Sequence, residues 1–107
     1  MCRMFAGQEP GRYAYETRSV RLSGFPTSVR LESRFWEVIE EIALGQKLTV
    51  GKFLSQLYDE AMEINGGISN FASLLRCTCL IYLERGPRAE AAPRVTAASL
   101  FMTVVGR

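Results

Sequence analysis

The chain has 107 residues, 48% hydrophobic and 22% charged, which fits one small folded domain and excludes a disordered chain. It contains no histidine, which removes Ser-His-Asp and Cys-His catalysis and the commonest metal ligand. Its net charge of +2 is unevenly spread: six arginines against three acids in residues 1–34, two lysines against six acids in 35–65, and five arginines against two acids in 66–107. A basic segment followed by an acidic one makes the first a candidate anion-binding surface.

Residues 1–16 lack periodicity and contain Gly7, Pro10 and Gly11, so the expectation is an irregular arm that packs through Met4, Phe5, Tyr13 and Tyr15. The N-terminus has no apolar core of a secretion signal, and no run reaches the ~18 apolar residues of a membrane span. A cytoplasmic protein without membrane contact is expected.

Residues 17–85 hold the periodic segments. The tetrapeptide Ser-Val-Arg-Leu occurs twice, at 19–22 and 28–31. Residues 18–22 and 27–31 alternate with period two, which predicts two half-buried strands. Val20, Leu22, Val29 and Leu31 fall on one face; Ser19, Arg21, Ser28 and Arg30 fall on the other. Ser23-Gly24-Phe25-Pro26 reads as the turn. A hairpin that sets Leu22 opposite Thr27 then pairs Val20 with Val29 and Arg21 with Ser28.

Ser33 is the expected N-cap of a helix over 34–44, with Phe35, Val38, Ile39, Ile42 and Ala43 as its apolar stripe and Gly45 as its stop. Thr49 is the expected cap of a second helix, 50–64, with the stripe Val50, Phe53, Leu54, Leu57, Tyr58 and Ala61. A third helix runs from Ser69 to about Arg85. It is apolar nearly all round, which requires burial on more than one side, in part by a second subunit. Cys2, Cys77 and Cys79 read as free thiols, Cys77 and Cys79 on a buried face rather than on a metal. Residues 86–107 are expected to form a mobile tail, with Leu100–Val105 the one stretch offering a strand.

Other signals carry less. Gly45-Gln-Lys-Leu-Thr-Val-Gly51-Lys52 misses the phosphate-loop spacing by one residue and has Phe53 where Ser or Thr is required. Glu37, Glu40 and Glu41 suit a solvated helix face better than carboxylate catalysis. Trp36 suits a dimer-core or third-helix contact better than a stacking platform for bases. No cofactor, metal site or enzymatic activity is expected.

The stretch TSVRLESRFWEVIEEIALGQKLTVGKFLSQLYDEA, residues 27–61, resembles a ribbon-helix-helix DNA-binding domain of the MetJ/Arc type. The wider stretch from MCRMFAG to GGISNFASLLRCTCLIYL is similar to a group of short bacterial proteins built on that domain with an added C-terminal helix. The resemblance implies a mainly α fold with a short antiparallel β-ribbon and an intertwined homodimer. The ribbon enters the major groove of double-stranded DNA, as in a transcriptional regulator or antitoxin-like repressor. Base contact maps onto Pro26, Ser28 and Arg30; Pro26 has no polar reach, which leaves Ser28 and Arg30, the arginine suited to guanine O6 and N7. Phosphate contact maps onto the start of the second helix at Thr49, Val50 and Gly51, flanked by Lys47 and Lys52. Arg34 and Arg21 are further phosphate candidates. In this arrangement the first Ser-Val-Arg-Leu strand widens the ribbon; the plainer alternative is that Arg21 only solvates an exposed strand. A rival function is a dimerising interaction module that engages a protein through its third helix or tail.

Overall fold

The structure is a computed structural model that describes residues 2–86. The expected tail, 86–107, lies outside the described residues apart from Gly86. Two short helices, α1 (Cys2–Ala6) and α2 (Pro10–Tyr13), occupy the N-terminal arm. At four or five residues they are too short to leave a periodic signal. The rest runs β1 (Tyr15–Leu22), β2 (Phe25–Glu32), α3 (Ser33–Gly45), α4 (Val50–Asn65) and α5 (Phe71–Arg85).

The two strands form an antiparallel hairpin in a different register from the expected one. Leu22 pairs with Phe25, Val20 with Thr27, Ser19 with Ser28 and Arg21 with Pro26. The difference comes from the turn, which is two residues, not four. Ser23 (φ 53°) and Gly24 (φ 83°) are both left-handed, the conformation of a tight turn matched to strand twist. The expected register is displaced by two residues, which keeps each strand's faces. Leu22, Val29 and Leu31 are therefore buried while Arg21, Ser28 and Arg30 are exposed.

β1 begins three residues earlier than its alternation indicates, because Glu16 and Arg18 sit on the inner face. Arg18 is paired with Glu16 and with Glu40 of α3 (2.9 Å), and its guanidinium lies 4.6 Å from the Trp36 ring centroid. Trp36 is buried against this strand, and its Nε1–H donates to the Glu16 carbonyl at 2.8 Å. The inward-facing charges are thus paired with one another while remaining partly exposed.

Ser33 is the first residue of α3 rather than its cap. Glu32 holds the cap position without a side-chain bond, and Ser33 turns back to Ala14, donating from N–H (2.8 Å) and from Oγ (3.1 Å) to the same carbonyl. The helix passes through Gly45, and Lys47 takes the left-handed φ (60°) while Leu48 N–H closes onto Ala43 O. Val38, Ile39, Ile42 and Ala43 are buried as the stripe requires. Thr49 caps α4, its Oγ1 accepting from Lys52 N–H at 3.1 Å. Phe53, Leu54 and Ala61 are buried, while Val50, Leu57 and Tyr58 are half-buried.

α5 is capped by Asn70, whose side chain accepts from Ser73 N–H at 3.0 Å. It buries Leu75, Cys79 and Tyr82 against α3 and leaves Leu80, Ile81 and Leu83 exposed. Within one chain, among the described residues, it is therefore covered on one side only. Cys77 is exposed and Cys79 buried, because two residues on a helix turn ~200° and face opposite ways. Burial pushes the Cys79 thiol up to about 11. Tyr58 and Phe71 meet edge to face, centroids 5.6 Å apart, and join α4 to α5.

Candidate nucleic-acid interface

The hairpin presents one polar face. Tyr15, Thr17, Ser19 and Arg21 of β1 share it with Pro26, Ser28, Arg30 and Glu32 of β2, and all but Glu32 are exposed. Apolar side chains on the opposite face hold the sheet onto α3 and α4, so the polar face is free of the core.

The arginines of the described chain differ in what holds them. Arg18, Arg34 and Arg76 are each ion-paired, Arg34 with Glu37 at 3.1 Å and Arg76 with Glu32 at 3.0 Å. Arg30 has no carboxylate partner among the described residues; its guanidinium lies 4.1 Å from the centroid of the Tyr15 ring. Arg21 donates to the Gly24 carbonyl at 2.9 Å, across the hairpin end. Arg34 stands at the start of α3, where an exposed ion pair with Glu37 engages one of its nitrogens.

The start of α4 lies beside the strand edge. Arg21, Gly51, Lys52, Ser55 and Gln56 line an open groove of about 400 Å³. Lys52 N–H is taken by Thr49 Oγ1 and Phe53 N–H by Thr49 O, which leaves the N–H groups of Thr49, Val50 and Gly51 at the open helix end. A Cβ built on Gly51 meets nothing within 4 Å, so the space beside this residue is open within the described chain. Lys47 is in the α3–α4 turn and exposed. Arg21 and Lys52 thus share one groove at the helix start, Ser28 and Arg30 stand together on the strand face, and Arg34 is set apart by its own ion pair. Sequence reasoning missed Tyr15, which reads as part of the irregular arm; its period-two spacing from Thr17 and Ser19 is the available signal.

β2 also has an open edge. Ser33 N–H bonds the Ala14 carbonyl and extends the ladder by one pair. Antiparallel ladders alternate bonded and non-bonded pairs, so Leu31, Val29 and Thr27 aim their peptide groups at β1. Ser28, Arg30 and Glu32 then aim theirs the other way, where no described strand pairs with them. Pro26, which has no N–H, sits at the start of that edge, a place sheets tolerate it.

Among the described residues there is no cluster of metal-ligating side chains, and no helix is long and apolar enough to cross a membrane. No curated protein matches the chain. A solved structure of an uncharacterized protein from Bordetella pertussis Tohama I is similar to it: 40% identity, TM-score 0.77, with 91% of this chain and 76% of that chain covered. The model of the ribbon-helix-helix domain family matches residues 15–83. That match takes in β1 and nearly all of α5, both beyond the residue 27–61 core. With a strand hairpin leading directly into α3 and a Thr-capped α4, the chain belongs to the ribbon-helix-helix family, a family of DNA-binding regulators.

Proposed function

We propose that the protein is a homodimeric, sequence-specific DNA-binding regulator that lays the polar face of its ribbon in the major groove of double-stranded DNA. The observation that carries this is the exposed Ser28–Arg30 face, opposite buried Val29 and Leu31, on a strand whose outer edge is unpaired among the described residues. An open edge is a template for another strand. A second copy pairing there through β2 makes a four-stranded sheet in the order β1-β2-β2-β1, with two copies each of Arg21, Ser28 and Arg30 on one surface.

In this arrangement Arg30 donates two parallel N–H bonds to guanine O6 and N7, and Ser28 makes a shorter, less selective contact. The open N–H groups at the start of α4 and the Lys52 ammonium hold a backbone phosphate, with Arg21 beside them across the groove. Phosphate contacts fix the register of the ribbon; the strand face discriminates sequence. The protein acts without a cofactor and without catalysis.

Sedimentation at micromolar concentration and selection of duplexes from a random-sequence pool test this together. The expected result is a dimer that enriches a sequence with two-fold symmetry. A well-folded monomer, or a dimer that enriches no sequence, would overturn it. An interaction module that dimerises and engages a protein through the exposed Leu80, Ile81 and Leu83 of α5 is the second reading. It predicts partner binding insensitive to salt, whereas DNA binding weakens steeply with salt through counterion release.

A further inference from the structure

We infer that Tyr15 is a positioning residue for Arg30, holding its guanidinium over the ring so that its hydrogen-bonding edge meets the base pair ready-oriented. This rests on the proposed reading of DNA by the ribbon and names a residue outside the Ser28–Arg30 strand that sets its selectivity.

The geometry gives the reason. Arg30 pairs with Thr17 and Tyr15 with Glu32, so Tyr15 is the diagonal neighbour of Arg30 on the polar face. Diagonal neighbours lie within reach of aromatic and long side chains. The Arg30 Cζ is 4.1 Å from the ring centroid, well inside the range of a cation–π contact. Tyr15 remains 54% exposed, so the pair lies on the surface that faces DNA and not beneath it.

Two features separate this pair from the other cation–ring contacts. Arg18 over Trp36 and Arg76 over Phe35 are also tied to carboxylates, so part of each guanidinium's hydrogen-bonding edge is already taken. Among the described residues Arg30 is held by a ring face alone, and at 4.1 Å it lies closer to its ring centroid than Arg18 (4.6 Å) or Arg76 (6.0 Å). Its N–H donors stay available to the bidentate contact with guanine, while the freedom of a long side chain is already reduced. Order imposed before binding lowers the entropic cost of binding. β1 is therefore more than an extra strand: its first residue shapes the reading head of the next strand.

The test uses the full chain and two probes: a duplex selected by the parent protein from a random pool, and its scrambled counterpart. Tyr15→Leu should lower the preference for the selected duplex about two- to fivefold, the range of an exposed cation–π contact, while Tyr15→Phe stays within about twofold of the parent. In an Arg30→Ala background, Tyr15→Leu should change nothing further. In the free protein, the Arg30 Nε–H proton resonance should be shifted by the ring current and should lose that shift in Tyr15→Leu. Parent-like preference in Tyr15→Leu would overturn the inference, as would an equal loss with and without Arg30, or an Arg30 resonance indifferent to the ring. If Arg30→Ala itself leaves the preference intact, the ribbon reading fails and the Tyr15 role with it.

Discussion

Gly51 separates stability from DNA binding in a single substitution. It is the second residue of α4, its φ is not left-handed, and an added Cβ meets nothing within 4 Å. Alanine there removes backbone freedom from the unfolded chain without a clash. Gly→Ala in a helix is worth roughly 0.5–1 kcal/mol, with the lower figure apt for a first turn. Gly51→Ala should therefore raise the urea midpoint. The same methyl stands where a phosphate is proposed to approach the open N–H groups. Losing a hydrogen bond to a charged group costs about 1.5–3 kcal/mol, or roughly tenfold or more in affinity at 1.4 kcal/mol per factor of ten. Gly24→Ala is the stability control of opposite sign: its Cβ also has open space, but its φ of 83° is left-handed, so it should lose about 1–2 kcal/mol. Urea unfolding and duplex titration of both variants decide the matter. Parent-like DNA binding by Gly51→Ala would refute phosphate approach at this helix start, and a lowered midpoint would refute the open space around it.

Ile39 is fully buried at the centre of α3, and Ile39→Ala should cost about 2–5 kcal/mol, read as a lower melting temperature that depends on protein concentration if folding and dimerisation are linked. Leu57 is only half-buried within one chain, so Leu57→Ala should cost clearly less than Ile39→Ala unless a second subunit covers it; an equal loss would point to that cover. Cys79 is buried and its thiol is pushed up to about 11, so at about pH 8 a thiol reagent should label Cys2 quickly and Cys79 only after unfolding; equal rates would contradict its burial. The Glu32 carboxyl is held below its ordinary value by its own peptide N–H and, against partial burial, by Arg76. A depressed carboxylate contributes stability above its unfolded value that is lost as pH falls through the folded one. Glu32→Gln should accordingly flatten the stability decline below about pH 4.5, measured by urea midpoints across the acid range; an unchanged acid limb would remove this pair from the account.

The helices were legible because their cores are periodic. Val38, Ile39, Ile42 and Ala43 recur at helical spacing and all are buried, and Thr49 announces α4 by its chemistry. The hairpin was legible as two faces but not as a register. A two-residue slip leaves every side chain on its face, so alternation alone cannot distinguish Val20 opposite Thr27 from Val20 opposite Val29. Phe25 and Pro26 resembled turn residues but belong to β2, since Pro26 needs no N–H on an open edge. The beginning of β1 was hidden because Glu16 and Arg18 face inward, paired with each other and, through Arg18, with Glu40, which no local pattern reveals. The third helix was legible as apolar, yet which side is covered depends on α3 and not on its own sequence. The candidate site divides the same way: Ser28 and Arg30 follow from alternation and family resemblance, whereas Tyr15 against Arg30 exists only once the register is fixed.

The most direct test of the central claim is a titration of the parent and Arg30→Ala proteins against selected and scrambled duplexes at several salt concentrations. The account predicts that affinity of the parent falls linearly on logarithmic axes as salt rises. It predicts that Arg30→Ala, still folded, loses about 1–3 kcal/mol of preference per lost guanine contact and relaxes selectivity at that base pair. Arg30→Ala binding the selected duplex like the parent, with the fold intact, would contradict the claim that the polar face of the ribbon reads DNA.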